Sequence, residues 1–410
     1  MHQRKRNRAR SAETCGPSAK IRGGEVGEHY TVDMSESHQP QTSPIPPRHI
    51  FANLPAYVAG KPAPQVAGLT QYKLSSNENP LGPVPKVAEI LSTFDAVHRY
   101  PDPLSTKLRE ALAKRFNLDA ENIVTGAGSL GALNQILKAF AGVDADGVQD
   151  EVIYAWRSFE AYPILVGLLG AKSVQIPNLP NGAHDLRGML DAITDRTRVI
   201  LVCTPNNPTG PAVTEKQIRE FLAQVPPHIV VVLDEAYFEF CTVSPVPDGE
   251  DAPLDGLRLY REYPNVIVLR TFSKAQGLAG LRVGYSVSHP QLTQYLRVSA
   301  TTFAVTAVAE AAAVASIEHE DQVMERVQHL VSERERVVAR LHELGYNIPQ
   351  TYANFVWLPL GEHTAEFTEL ARANALAVRA FDSEGVRVSI GEDEANDRFI
   401  SICEQFPHRV

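Results

Sequence analysis

The chain has 410 residues, 44% hydrophobic and 21% charged, a mix that excludes collagen, coiled coil and wholesale disorder. With 39 basic against 48 acidic residues its net charge is −9, which argues against a surface built to track a phosphate backbone. Cys15, Cys203, Cys241 and Cys403 are too scattered for a CxxC pair, a zinc ribbon or a disulfide framework. No run of 18 apolar residues exists, and the basic first ten residues lead into no apolar segment. The expectation is a cytoplasmic protein with no metal, no membrane contact and no nucleic-acid partner.

Residues 1–47 are rich in Ser, Pro, Gln and charge and end on QPQTSPIPP, so a disordered tail is expected. From Asn122 short β-rich runs alternate with helical segments: NIVTG (122–126), EVIYAW (151–156), AKSVQIP (171–177), RVILVC (198–203), IVVVLDE (229–235) and NVIVLR (265–270). SLGALNQILKAF and TEKQIREFLAQV lie between them, which predicts βαβ units and a mostly parallel sheet. The near-continuous apolar strands suit burial on both faces. RVGYSVS (282–288) adds a seventh strand. Residues 303–344 read as helical, with apolar positions every three or four residues and a charged outer face. ANFVWLPL, a helix over 363–374, ALAVRAF, GVRVSIG and a last helix near 392–405 outline a smaller α+β unit.

Gly126-Ala-Gly128-Ser-Leu-Gly131 matches the dinucleotide pattern GxGxxG, but no acidic residue ends the next strand to hold a ribose. What survives is a glycine-rich turn into a helix N-terminus, which offers free N–H groups to a phosphate. Four further segments lie at predicted strand ends: Pro205-Asn-Asn207-Pro-Thr-Gly210, Asp234-Glu-Ala-Tyr237, Thr271-Phe-Ser273-Lys274 and Gly280-Leu-Arg282-Val-Gly284. In open α/β sheets that edge binds ligands. These residue types suit imine chemistry. A desolvated Lys274 can form a Schiff base with an aldehyde, and pyridoxal phosphate supplies that aldehyde with an electron sink. Asp234 beside the ring nitrogen would raise its pKa. Asn207 and Tyr237 can bond the 3′-oxygen. Arg282, Ser273, Thr271 and the N–H groups at Gly128 and Ser129 can hold the phosphate, and Phe159 can stack on the ring.

On these motifs, with SNENPLGP (76–83), RYPDP (99–103), CTPNNPTG (203–210), LDEAY (233–237) and RTFSKAQGLAGLRVGY (270–285), the chain resembles the class I/II pyridoxal-phosphate aminotransferases, in their histidinol-phosphate and aromatic branch. WRSFEAYP (156–163), ANFVWLPLG (353–361) and VRAFDSEGVRVSIG (378–391) resemble the actinobacterial phenylalanine/aromatic enzymes most. The resemblance implies an aspartate-aminotransferase-like α/β fold. A large domain holds a mostly parallel seven-stranded sheet between helices, beside a smaller α+β domain. The implied divisions are an arm and part of the small domain over 48–98, the cofactor-binding domain over 99–302, and a linking helix with the rest of the small domain over 303–410. Lys274 is then the imine lysine that shuttles the α-proton, Asp234 pairs with the ring nitrogen, and Asn207 and Tyr237 contact the 3′-oxygen. Arg282 binds the phosphate and Arg387 clamps the substrate α-carboxylate beside Asn207. Tyr100 reaches the phosphate in a neighbouring subunit's site, which implies a homodimer with shared active sites.

Two departures stand out. Gln276 occupies a position that is often aromatic in the family. Only seven residues separate Arg379 from Arg387, where the histidinol-phosphate enzymes space the matching arginines further apart and use the first to grip the substrate phosphate. The short link favours an aromatic side chain over a phosphate. The expected reaction is ping-pong transfer of an amino group between an aromatic amino acid and 2-oxoglutarate, with histidinol-phosphate transamination as the alternative. A decarboxylase or racemase would use the same Lys274 and Asp234. A DNA-binding regulator would need a further winged-helix domain, and a Rossmann oxidoreductase would lack the imine lysine.

Overall fold

Runs such as Val230-Val-Val-Leu233 have no polar face, so their backbone groups and side chains are both satisfied only inside a covered sheet. The computed structural model describes residues 48–407 apart from 53, 58, 59 and 61; the tail expected over 1–47 lies outside the described residues. The strands are β1 Tyr72–Lys73, β2 Ile123–Gly126, β3 Glu151–Trp156, β4 Lys172–Pro177, β5 Thr197–Cys203, β6 Val230–Asp234, β7 Val266–Thr271, β8 Gly284–Ser288, β9 Phe355–Leu358, β10 Leu376–Ala377, β11 Arg379–Phe381 and β12 Gly385–Ser389.

The seven strands expected from the sequence form one sheet in the order β2-β8-β7-β6-β5-β3-β4. It is parallel except for β8, which runs antiparallel to both β2 and β7. Register puts Cys203 beside Asp234 and Asp234 beside Leu269, while Thr271 faces Gly284 at the reversed strand's start. The ends of β5, β6 and β7 and the beginning of β8 therefore share one edge. Side chains from the two faces enter separate apolar clusters. Val199, Leu201, Val232 and Leu269 pack with Leu133, Ile136 and Tyr162 on one side. Ile200, Val231, Leu233 and Val268 pack with Ile218, Phe221 and Phe240 on the other. Each fully buried aliphatic side chain contributes about 1.5–3 kcal/mol. β4, at the sheet edge, alternates exposed and partly buried residues instead.

Helix signals are read locally. Thr214 and Gln217 close a capping box on the helix Glu215–Leu222. Thr306 caps the helix Ala307–Glu318 through the Ala309 N–H. The helical stretch expected over 303–344 is two helices. The chain leaves helical geometry at His319 (φ −117°, ψ 39°) and resumes as Glu320–Glu343, which buries Val323, Val327, Leu330, Val331, Val337 and Leu341 along one stripe. Among the described residues no helix is long and apolar enough to cross a membrane. The C-terminal part folds as a three-stranded antiparallel sheet, β11-β12-β9, packed against the helix Thr364–Ala373, which in turn meets the helix Asp393–Gln405. β1 pairs in parallel with β10, so the segment after Tyr72 runs against this C-terminal part.

Candidate active site

A cavity of about 330 Å³ opens where the carboxyl edge of the large sheet meets β11 and β12. Asp234, the last residue of β6, lines it. Tyr162, from the first turn of the helix that follows β3, donates its hydroxyl to Asp234 Oδ2 at 2.7 Å. Asp234 Oδ1 is buried and has no partner. Burial raises the pKa of this carboxyl to about 6, against the opposing pull of the Tyr162 hydroxyl. Edge-on ring contacts of Tyr162 with Tyr154 and Phe159, both at 5.6 Å, hold the hydroxyl in place, and Phe159 lines the cavity.

Lys274 follows β7, and its Nζ donates to the carbonyl of Ser76 at 3.1 Å. Burial, helped by the nearby Arg387, lowers its pKa to about 7, so an appreciable share of the amine is uncharged at neutral pH. Around it, Thr271 Oγ1 donates to Ser273 Oγ at 3.0 Å, and Arg282 donates from Nη1 to the Ala279 carbonyl at 3.0 Å and to Ser273 Oγ at 3.4 Å. The helix Gly128–Phe140 points its free N–H groups at the same corner, with Ser129 on the cavity wall. Gly128 sits at φ +72°, and a Cβ there would come 2.3 Å from Arg282 Nη2, so only glycine lets the guanidinium lie against the turn.

The opposite wall comes from β12 and the segment after β1. Arg387 donates from Nη1 to Asn207 Oδ1 and from Nη2 to the Ser75 carbonyl at 2.7 Å, and its Nε is buried without a partner. Tyr237 accepts from Asn77 Nδ2 at 2.9 Å, and burial pushes its pKa up. Asn77 is held in turn by Ser389, whose hydroxyl donates to Asn77 Oδ1 at 2.9 Å and accepts from the Asn77 N–H at 2.8 Å. Arg379 donates from Nη2 to Glu160 Oε2 at 2.6 Å, and both line the cavity.

The structure thus brings Ser129, Phe159, Asn207, Asp234, Tyr237, Thr271, Ser273, Lys274, Arg282, Arg379 and Arg387 to one cavity, with Gly128 behind Arg282. It leaves Tyr100 outside: this ring is 83% exposed and stacks on Phe303 at 4.8 Å. Gln276 points elsewhere, donating to Glu239 Oε1 at 2.9 Å beside a separate cavity of about 270 Å³ that Lys274 does not line. Sequence reasoning missed Tyr162, Asn77 and Glu160. The spacing Phe159-x-x-Tyr162, one helical turn, was a signal for the first, and SNENP carried the second.

The family model for aminotransferase class I and II matches residues 70–402. The aromatic amino acid aminotransferase of Streptomyces avermitilis is 51% identical over 354 residues, covering 86% of this chain and 95% of the relative. That of Thermobifida fusca is 48% identical over 363 residues, 88% of this chain and 97% of the relative. Among solved structures, the histidinol-phosphate aminotransferase from Sinorhizobium meliloti in complex with pyridoxal-5′-phosphate superposes with a TM-score of 0.72 at 25% identity, over 81% of this chain and 90% of that one. A single mutant of Thermus thermophilus aspartate aminotransferase gives 0.70 at 22% identity, over 82% and 92%, and shares the fold. With an aspartate-aminotransferase-like fold and a matching family model over most of its length, the chain belongs to the class I and II aminotransferases.

Proposed function

We propose that this chain is a pyridoxal-phosphate-dependent aminotransferase that moves the amino group between an aromatic amino acid and a 2-oxo acid such as 2-oxoglutarate, as a cytoplasmic homodimer. The observation that carries the reading is one cavity holding the Lys274 amine, with its lowered pKa, together with a buried Asp234 oxygen that has no partner. The names of the relatives at about half identity support the aromatic substrate.

The residues present fit the cofactor. The unpartnered Asp234 Oδ1 suits a protonated ring nitrogen, because a buried carboxylate without a counter-charge is costly. The corner formed by Gly128, Ser129, Ser273 and Arg282 suits a phosphate, and glycine leaves the space for it. Asn207 and Tyr237 would hold the 3′-oxygen, with Phe159 over the ring. When bound, the cofactor supplies a reactive aldehyde and an electron-withdrawing ring. Lys274 Nζ would take the α-proton of the substrate and hand it on, a task for which a pKa near neutrality is well matched. Arg387 would clamp the α-carboxylate as a fork, using the Nε that has no protein partner. Tyr100 and Phe303, an exposed aromatic pair, would be covered by a second copy, with Tyr100 reaching that copy's phosphate corner.

The test is parallel turnover of phenylpyruvate and imidazole-acetol phosphate as amino acceptors by purified protein that absorbs above 400 nm. A higher kcat/KM with phenylpyruvate is expected. A preference for the phosphorylated acceptor would move the assignment to histidinol phosphate, and an inert, colourless protein would end it.

A further inference from the structure

Resting on that reading, of the charged side chains lining the cavity, Asp234, Lys274, Arg282 and Arg387 have duties, and Glu78 pairs with Lys73 at 3.0 Å. That leaves Arg379 and Glu160. Arg379 and Arg387 are direct cross-strand partners in the β11–β12 hairpin, so both side chains leave the same face of that sheet. A substrate whose α-carboxylate sits on Arg387 therefore meets Arg379 as the next cation on that face of the cavity. The tight hairpin, with Phe381 opposite Gly385, fixes this neighbourhood.

Two guanidinium groups side by side repel each other. Glu160 answers that charge. It stands at the start of the helix Ala161–Leu168, where a negative charge is favoured, and its carboxylate meets Arg379 Nη2 at 2.6 Å with side-chain exposures of 29% and 12%. The surroundings are aromatic. Phe381 lies under Arg379 at 5.5 Å and under Arg387 at 5.7 Å, and Tyr57 and Phe159 line the same cavity.

We infer that Glu160 is a specificity-determining residue: by cancelling the charge of Arg379 it makes the far end of the cavity accept an uncharged aromatic ring and reject a dianionic phosphate. A single γ-carboxylate is still admitted, because the pair uses one N–H of Arg379 and a guanidinium carries four more. A phosphate brings twice the charge against the same carboxylate. Glu160 thus separates one negative charge from two.

The experiment compares holoenzymes of wild type, Glu160→Gln, Glu160→Asp and the double variant Glu160→Gln/Arg379→Gln, with phenylpyruvate and imidazole-acetol phosphate as acceptors at saturating amino donor. Glu160→Gln is expected to raise kcat/KM for the phosphorylated acceptor by about tenfold or more, through KM, and to change that for phenylpyruvate by less than about threefold. Glu160→Asp keeps the wild-type ratio, and the double variant again discriminates against phosphate. An unchanged ratio in a Glu160→Gln protein whose melting temperature and absorbance above 400 nm match wild type overturns the inference. Should that variant fail to load, Arg379→Gln carries the test: with Glu160 left unopposed, the ratio must shift further towards phenylpyruvate, and no shift is again fatal. A wild type inert towards both acceptors would sink the aminotransferase reading itself, an outcome distinct from an active wild type and an indifferent variant.

Discussion

At the Asp234 end of the cavity the functional groups hang from the last residues of buried parallel strands, whereas at the Arg379 end they hang from a three-residue hairpin strand and a helix start. Asp234 is 5% exposed and held between Cys203 of β5 and Leu269 of β7, and Thr271, 4% exposed, is paired with Gly284 of β8. Arg379 and Glu160 come from separate elements joined by one ion pair. The buried end is positioned by backbone register, which a side-chain change cannot move. The outer end is positioned by side chains answering one another, so its preference is open to single substitutions. Chemistry common to a family belongs on the first kind of support, and substrate choice on the second.

The sharpest way to break this contrast is Lys274→Ala. Turnover should fall by about 10³-fold or more, and the absorbance above 400 nm should be lost; activity within tenfold of wild type would remove the reason for calling the sheet edge catalytic. Asp234→Asn comes next, with an expected loss of about 10²-fold in kcat. It also has a pH signature in cofactor-stripped protein. The folded carboxyl, with a pKa of about 6, holds its proton more tightly than the unfolded one, so wild-type stability should fall as pH rises from about 4 to about 6. Asp234→Asn should flatten that fall in a melting-temperature series, and an equal slope in both proteins would refute the buried charge. Lys274 acts with the opposite sign at higher pH. Its folded pKa of about 7 lies below the unfolded value, so stability should rise from about pH 7 towards about pH 10.

Tyr162→Phe sharpens the comparison from the supporting side. The ring contacts persist and one hydrogen bond to Asp234 is lost, so kcat should drop about tenfold or less, and the acid limb of the pH–rate profile should move to higher pH. The smallest effect belongs to Glu384→Gln, outside the cavity, where an exposed carboxylate pairs with Arg157. Less than about twofold in kcat/KM is expected, since such pairs contribute about 0–1 kcal/mol.

Sequence pattern exposed the buried half well. The central strands read as near-continuous apolar runs because both faces are covered, and the residues gathered at the cavity read as strand-end motifs because the sheet edge is where the chain turns. Glu160 escaped since nothing local marks it, and Asn77, though inside SNENP, had no legible role, because their partners Arg379 and Ser389 lie 219 and 312 residues away. The break at His319 escaped because apolar spacing continues on both sides of it. The Arg379–Arg387 spacing was visible as an oddity, but its meaning needed the cross-strand register.

The short stretch Ser75–Asn77 bonds Arg387 and Ser389, which are made 312 residues later. During synthesis at ~5–20 residues per second, that leaves roughly 15–60 s in which the early segment has left the ribosome without its late partners. The wall formed by Ser75–Asn77, Arg387 and Ser389 therefore exists only once an early and a late part of the polypeptide have met.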